Sequence, residues 1–139
     1  MTSVSLGRSR RRAAILLLTL GAVPLTSCAS DEERVEKTLT TYLTAVVEAD
    51  GPTACAQLAP AARDDLVTSV AGARDCEDAV RRYRSGLTAQ QREELRTARV
   101  TEVSIEGDHA TARVAGAESG SLEQVEGEWR ISARSPANR

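Results

Sequence analysis

The spacing of apolar residues changes once along this chain, from a helical period to a strand period. Between residues 31 and 97 they recur every three or four positions, as on one face of a helix. Between residues 101 and 131 they alternate with polar residues, as in a half-buried strand. Helices followed by a run of strands predict an α+β domain, with N-terminal helices packed on an antiparallel sheet.

Capping residues predict the helix boundaries. Ser30 and Glu33 fit a capping box, and the first helix should end near Ala49, before the Asp50-Gly51-Pro52 turn signal. Further helix starts are predicted at four residues that suit an N-cap or a first turn: Pro52, Pro60, Asp75 and Thr88.

The strand region predicts two hairpins. Gly107-Asp108 is a two-residue turn signal, which places Ile105 opposite Ala110 on an apolar face and Glu106 opposite His109 on a charged face. The same alternation puts Thr101 on the apolar side. The other pairs expected are Val103 with Ala112, Glu102 with Arg113, and residues 122–125 with residues 129–131 around Gly127.

The N-terminal segment indicates export. A basic block at residues 8–12 precedes an uncharged, apolar block at residues 13–25. The following Leu25-Thr26-Ser27-Cys28 resembles the lipobox of bacterial lipoproteins. That resemblance implies that residues 1–27 are a signal peptide, that Cys28 receives acyl chains, and that residues 28–30 form an anchor and short tether on the extracytoplasmic face of the cell membrane.

A transmembrane helix is the other interpretation of this segment. A span needs about 20 predominantly apolar residues, but the strongly apolar block covers only residues 15–20, and Gly21 and Pro24 interrupt the chain directly after it. We therefore expect a signal peptide. Ser9-Arg10-Arg11 also resembles part of a twin-arginine motif, so the export route stays open.

Charge restricts the partners of the mature chain. Without residues 1–27, the chain of 139 residues keeps 112, with all 20 acidic residues and 14 of the 18 basic ones, a formal net charge of −6. This argues against nucleic acid, which requires clustered Lys and Arg. It also argues against electrostatic attachment to anionic lipid, so the acyl chains on Cys28 must hold the protein.

Aromatic residues are scarce. The chain has no Phe, and its aromatic residues are Tyr42, Tyr83 and Trp129. Val, Leu, Ile and Ala must therefore fill the core of a single domain. Tyr42 and Tyr83 fall on apolar helix stripes, and Trp129 alternates with Ile131 in the last strand. All three are predicted to lie in the core or to line a pocket.

Cys55 and Cys76 remain once Cys28 is assigned to the anchor. An extracytoplasmic location permits a disulfide, and closing a loop of 21 residues contributes roughly 3 kcal/mol to stability. Metal ligation or a nucleophilic thiol would be the alternatives. The chain has no CxxC motif and its single His is distant in sequence, so we predict a structural disulfide.

A wider resemblance covers residues 31–133. The stretches that carry it are Glu48-Ala49-Asp50-Gly51, residues 55–63, Asp75-Cys76 and residues 126–131. They resemble small bacterial lipoproteins with a nuclear transport factor 2-like domain. The resemblance implies a curved antiparallel sheet wrapped around helices as a cone with a pocket, with a C-terminal tail at residues 134–139.

Enzymes on this fold place acid–base groups inside the cone, and this sequence offers few. His109 is predicted on the outer face, and the adjacent Asp64 and Asp65 do not face each other on a helix. We therefore expect a non-enzymatic binding or interaction module without a cofactor, with a small apolar ligand or an envelope protein as partner. The alternative is a small-molecule isomerase or cyclase, which would need a titratable group on the concave sheet face.

Overall fold

Five helices precede one sheet in the computed structural model, which describes residues 29–115 and 119–132. The elements are α1 (Asp31–Glu48), α2 (Gly51–Ala56), α3 (Pro60–Ser69), α4 (Cys76–Gly86), α5 (Ala89–Thr97), β1 (Arg99–Glu106), β2 (His109–Ala115), β3 (Gly120–Val125) and β4 (Glu128–Ile131). The strands form an antiparallel sheet in the order β1-β2-β3-β4. The predicted α+β class is confirmed.

Three predicted features lie outside the described residues: the signal peptide, the anchor at Cys28 and the tail at residues 134–139. Within the described part of the chain, no helix combines the length and apolar character needed to cross a membrane.

Local capping explains the helix boundaries. Ser30 and Glu33 form the predicted capping box at the start of α1, and Thr88 forms a second one with Gln91 at the start of α5. At its C-terminus α1 stops because Ala49 adopts a left-handed conformation, with φ 61°, and donates its N–H back to the last turn.

The first hairpin has the predicted register over most of its length. Ile105 pairs with Ala110 and Glu106 with His109 around the Gly107-Asp108 turn. The prediction for Thr101 is wrong. A bulge between Val100 and Glu102 takes Thr101 out of the residue pairing with β2 and exposes it, so Val100 takes the inward position opposite Val114.

Helix α1 contributes side chains to two hydrophobic cores. Val35 and Leu39, in the first half of α1, pack on the inner face of the sheet. Ala45 and Val46, in the second half, pack with α2 and α4. The buried sheet residues of the first core are Ala110, Ala112, Val114, Leu122 and Trp129.

The outer edge of β4 is paired with the linker between α2 and α3. Ile131 donates its N–H to the Gln57 carbonyl at 2.8 Å and accepts the Ala59 N–H at 2.8 Å. Leu58 thereby forms a parallel bridge with Ile131. This pairing holds Gln57 beside β4 and next to α1.

Candidate functional site

Trp129 lies in the first core at the β4 edge and is 3% exposed. Its indole Nε1 donates to Asp31 Oδ1 at 3.1 Å. Thr38 Oγ1 lies 3.3 Å from the Trp129 carbonyl and 3.0 Å from the Arg34 carbonyl, so its hydroxyl can donate to either. The last strand is thus hydrogen-bonded to α1 at two levels.

Tyr42 is half-buried against the second core. Burial, and to a smaller extent the negative charge of an ionised Tyr83, together raise the pKa of Tyr42 to about 12. The phenol therefore stays protonated at neutral pH. It can act there as a hydrogen-bonding group but not as a base.

The prediction that Tyr83 faces the core is wrong, since this residue is 43% exposed. The inward residues of α4 are Ala79 and Val80. The partner helix α2 has only six residues and meets α4 at its first turn, where Gly51 lies against Glu77. Tyr83 is not among the side chains that pack in the second core.

The predicted disulfide is present. Cys55 and Cys76 are joined with a Cα–Cα distance of 6.1 Å, which links α2 to the start of α4. Cys55 is 9% exposed and belongs to the second core, so the bond fastens that core from inside.

The inner face of the sheet is mainly apolar where the structure describes it, with Gln124 opposite Trp129 as an uncharged polar residue. The side chains that pack there with Val35 and Leu39 are Val100, Val103, Ile105, Ala110, Ala112, Val114, Leu122, Trp129 and Ile131. None of these side chains is ionisable. His109 is exposed on the other face, as the hairpin register predicted. Its Nε2 lies 3.4 Å from the Asp108 carboxylate.

Asp78 is a buried charged residue, 6% exposed, on α4. It accepts hydrogen bonds from Arg82 Nε at 2.9 Å and from the Arg74 N–H at 3.2 Å. The Arg82 hydrogen bond, more than any other contact, lowers the pKa of Asp78 to about 2. This arrangement fastens the turn before α4 to the helix, which is a structural role.

A surface groove of about 460 Å³ runs between α1 and β4. We call it the α1–β4 groove. Four of its residues form a stripe on α1 at helical spacing, and the others come from β4 and the paired linker. The lining residues are Arg34, Lys37, Thr38, Thr41, Gln57, Glu128, Trp129 and Arg130.

The cationic side chains of the groove differ in their hydrogen-bond and ion-pair partners. Arg34 donates to Asp31 at 3.1 Å and to the Gly127 carbonyl at 2.6 Å. Arg130 is paired with Glu128 and also donates to the carbonyl of Ala56.

Lys37 has neither an ion pair nor a hydrogen bond through its ammonium group within residues 29–115 and 119–132. The arginines fix the β3–β4 turn and α2, and Lys37 is left to face the groove.

Sequence reasoning identified Trp129 but missed the rest of this groove. The polar stripe of α1 resembles an ordinary solvent-facing surface. Lys37 is the only lysine in the chain, which is a weak signal without the groove around it. The described residues hold no group of three or more metal-ligating side chains.

Comparisons with known proteins found no matching family model, no matching curated protein and no matching solved structure.

Proposed function

We propose that this protein is a lipid-anchored, non-enzymatic binding module on the extracytoplasmic face of the cell membrane. Its domain would be a nuclear transport factor 2-like cone, and its ligand site the α1–β4 groove. The observation that carries the proposal is the contrast between an apolar inner sheet face filled by α1 and a polar groove outside it.

The anchor rests on Cys28 in the lipobox-like motif. Ser30 is already the N-cap of α1, so the tether between Cys28 and the folded domain is very short. A protein held this way would keep the first turn of α1 close to the membrane surface.

The position of α1 changes the kind of ligand that we expect. The sequence predicts a small apolar ligand or an envelope protein as partner, but Val35 and Leu39 occupy the inner sheet face at 0% and 5% exposure. The groove is instead lined mainly by hydroxyl, amide and charged side chains. It would suit a polar small molecule or a polar segment of an envelope protein.

An isomerase or cyclase remains the second candidate, and Tyr42 is the group among the described residues whose pKa burial raises. General acid–base catalysis favours a group whose pKa lies near the working pH. Tyr42 is partly buried, but its pKa of about 12 is far from neutrality. This residue therefore gives no support to catalysis at neutral pH.

The proposal is tested on the full-length protein expressed in bacteria with labelled palmitate. We expect label and membrane association for the wild type and neither for Cys28→Ala. Palmitate label on Cys28→Ala, or a wild type without label, would overturn the assignment of Cys28 as the anchor.

Native mass spectrometry of the membrane-purified protein tests the groove. We expect a non-covalent adduct that Thr41→Phe removes by filling the groove. Thr40→Phe, on the adjacent exposed position, serves as the matched control and should keep it. An adduct that survives Thr41→Phe, or no adduct on the wild type, would overturn the assignment of the groove as the ligand site.

A further inference from the structure

We infer that the α1–β4 groove takes a small anion, a carboxylate or phosphate group, with the Lys37 ammonium as its ionic contact. This inference rests on the proposed function and names the chemical class of the ligand. It follows from the charge, hydrogen-bonding and size of the groove.

Charge is the first step. The Arg34 and Arg130 guanidinium groups already face Asp31 and Glu128, whereas Lys37 has no carboxylate within 4.0 Å in the described part of the chain. The mature chain carries a formal net charge of −6, and Lys37 adds an exposed, unpaired positive charge to the wall of the groove. Because the described residues give its ammonium group no ion pair, Lys37 is free to attract an anion.

Hydrogen bonding is the second step. Thr41 lies one helical turn after Lys37 on the same stripe, so the two side chains are neighbours on the helix surface. Gln57 faces them from the β4 edge, where its Nε2 makes only a long hydrogen bond of 3.4 Å to the Thr53 carbonyl. An ammonium, a hydroxyl and an amide can together satisfy several of the acceptor sites on one carboxylate or phosphate.

Size and selectivity are the third step. A volume of about 460 Å³ lies within the range of small-molecule sites. Glu128 lines the same groove and would repel a second negative charge placed near it. The groove therefore favours a ligand with one anionic end.

The test uses the mature lipidated protein in nanodiscs of phosphatidylcholine, which has no net charge. The probes are butyrate, inorganic phosphate and butyramide, the uncharged analogue of butyrate. Calorimetry is the primary readout of binding, and a change in the fluorescence of Trp129, which borders the groove, is the second.

We expect at least one of the two anions to bind, and to bind more weakly as the ionic strength rises. Lys37→Ala should weaken anion binding by about 10-fold or more, because a charge-assisted hydrogen bond is lost. Lys37→Arg should retain most of it. Arg96→Ala, which removes an exposed cation on α5, should leave it unchanged.

Repeating the titration in nanodiscs that contain phosphatidylglycerol separates two sources of the anion. If lipid phosphate fills the groove, the apparent affinity for the free anion falls in the wild type, and Lys37→Ala abolishes that difference. If the ligand is a free solute, the affinity is the same in both lipids.

Three results would overturn the inference. The first is that butyramide binds as tightly as butyrate, and the second is that Lys37→Ala binds both anions as tightly as the wild type. The third is that the wild type binds neither anion. These results are distinct from failure of the proposed function. A neutral adduct that Thr41→Phe removes would keep the binding module while rejecting the anion. If Cys28 takes up no label, the titration is made on the protein in solution, and Lys37-dependent binding there would reject only the anchor.

Discussion

Trp129 and Asp31 lie 98 positions apart in the sequence and are joined by a hydrogen bond of 3.1 Å from the indole Nε1 to the carboxylate. The bond connects the last strand to the first turn of α1. It gives the largest side chain of the first core a fixed orientation and satisfies the polar atom that the indole brings with it.

Replacing Trp129 by Ala should destabilise the fold severely. The side chain is 3% exposed, and Trp→Ala changes in cores cost about 3–5 kcal/mol. Equilibrium denaturation measures the loss, and the wild-type fluorescence maximum should be blue-shifted relative to free indole in water. A wild-type maximum at the position of free indole, with an unchanged unfolding midpoint for Trp129→Ala, would contradict the burial.

Replacing Glu126 by Asn should stabilise the protein by about 1 kcal/mol, because a non-glycine residue in the left-handed region costs about 1–2 kcal/mol and Asn tolerates it better. Glu126 has φ 53° and Gly127 φ 80°, the combination of a type I′ turn. Glu106→Asn, beside the other hairpin turn, is the matched control and should give no such gain. Thermal unfolding compares the two, and equal midpoints would contradict the prediction.

Replacing Gly51 by Ala should destabilise the contact between α2 and α4. A Cβ at Gly51 would lie 2.8 Å from the Cβ of Glu77, closer than carbon atoms can approach. Overpacking of this kind costs about 1–3 kcal/mol. Gly86→Ala meets no atom within 4 Å and should be neutral or stabilising. Chemical denaturation measures the free energy of unfolding of both variants. An unchanged value for Gly51→Ala would contradict the close packing of α2 on α4.

Asp78 should make stability fall in acid. Its pKa is lowered from 3.8 to about 2 in the folded protein, so the folded state favours the ionised carboxylate. The resulting stabilisation is present above pH 3.8 and is lost as the pH falls toward 2. Thermal midpoints measured across this window should fall less steeply in Asp78→Asn than in Asp65→Asn, an exposed control. If the thermal midpoints of the two variants fall equally with pH, Asp78 does not cause the loss of stability in acid.

Tyr42 should ionise late in alkali. In Tyr83→Phe it is the only tyrosine, and its tyrosinate absorbance should develop at higher pH in the folded protein than in denaturant, where we expect a pKa of about 10. The raised pKa favours the protonated form in the folded state, so this stabilisation is lost as the pH rises through about 12. Identical curves in the folded and denatured proteins would contradict the burial of the phenol.

Features encoded by neighbouring residues could be predicted from the sequence. The Ser30–Glu33 capping box needs only one turn of helix, and the Ile105–Ala110 pairing follows from the two-residue turn between them. The Cys55–Cys76 bond could be predicted because only two cysteines remain once Cys28 is assigned to the anchor. These inferences needed no knowledge of distant packing.

Features set by distant packing could not be predicted. Tyr83 continues the apolar stripe of α4 in the sequence and is nevertheless exposed, and the bulge at Thr101 has no clear mark in the alternating pattern. The α1–β4 groove exists because residues 57–59 pair with β4, which brings Gln57 opposite Lys37. Neither residue indicates the other in the sequence.

Helix α1 supplies side chains to both cores, and this has a consequence for how the domain comes apart. Removing α1 would expose Leu122 and Trp129 on one side and Val80 with Cys55 on the other. Neither half could then persist as a stable intermediate. The domain should therefore open as one cooperative unit, with the slowest-exchanging amide protons of both halves sharing the same protection against hydrogen exchange.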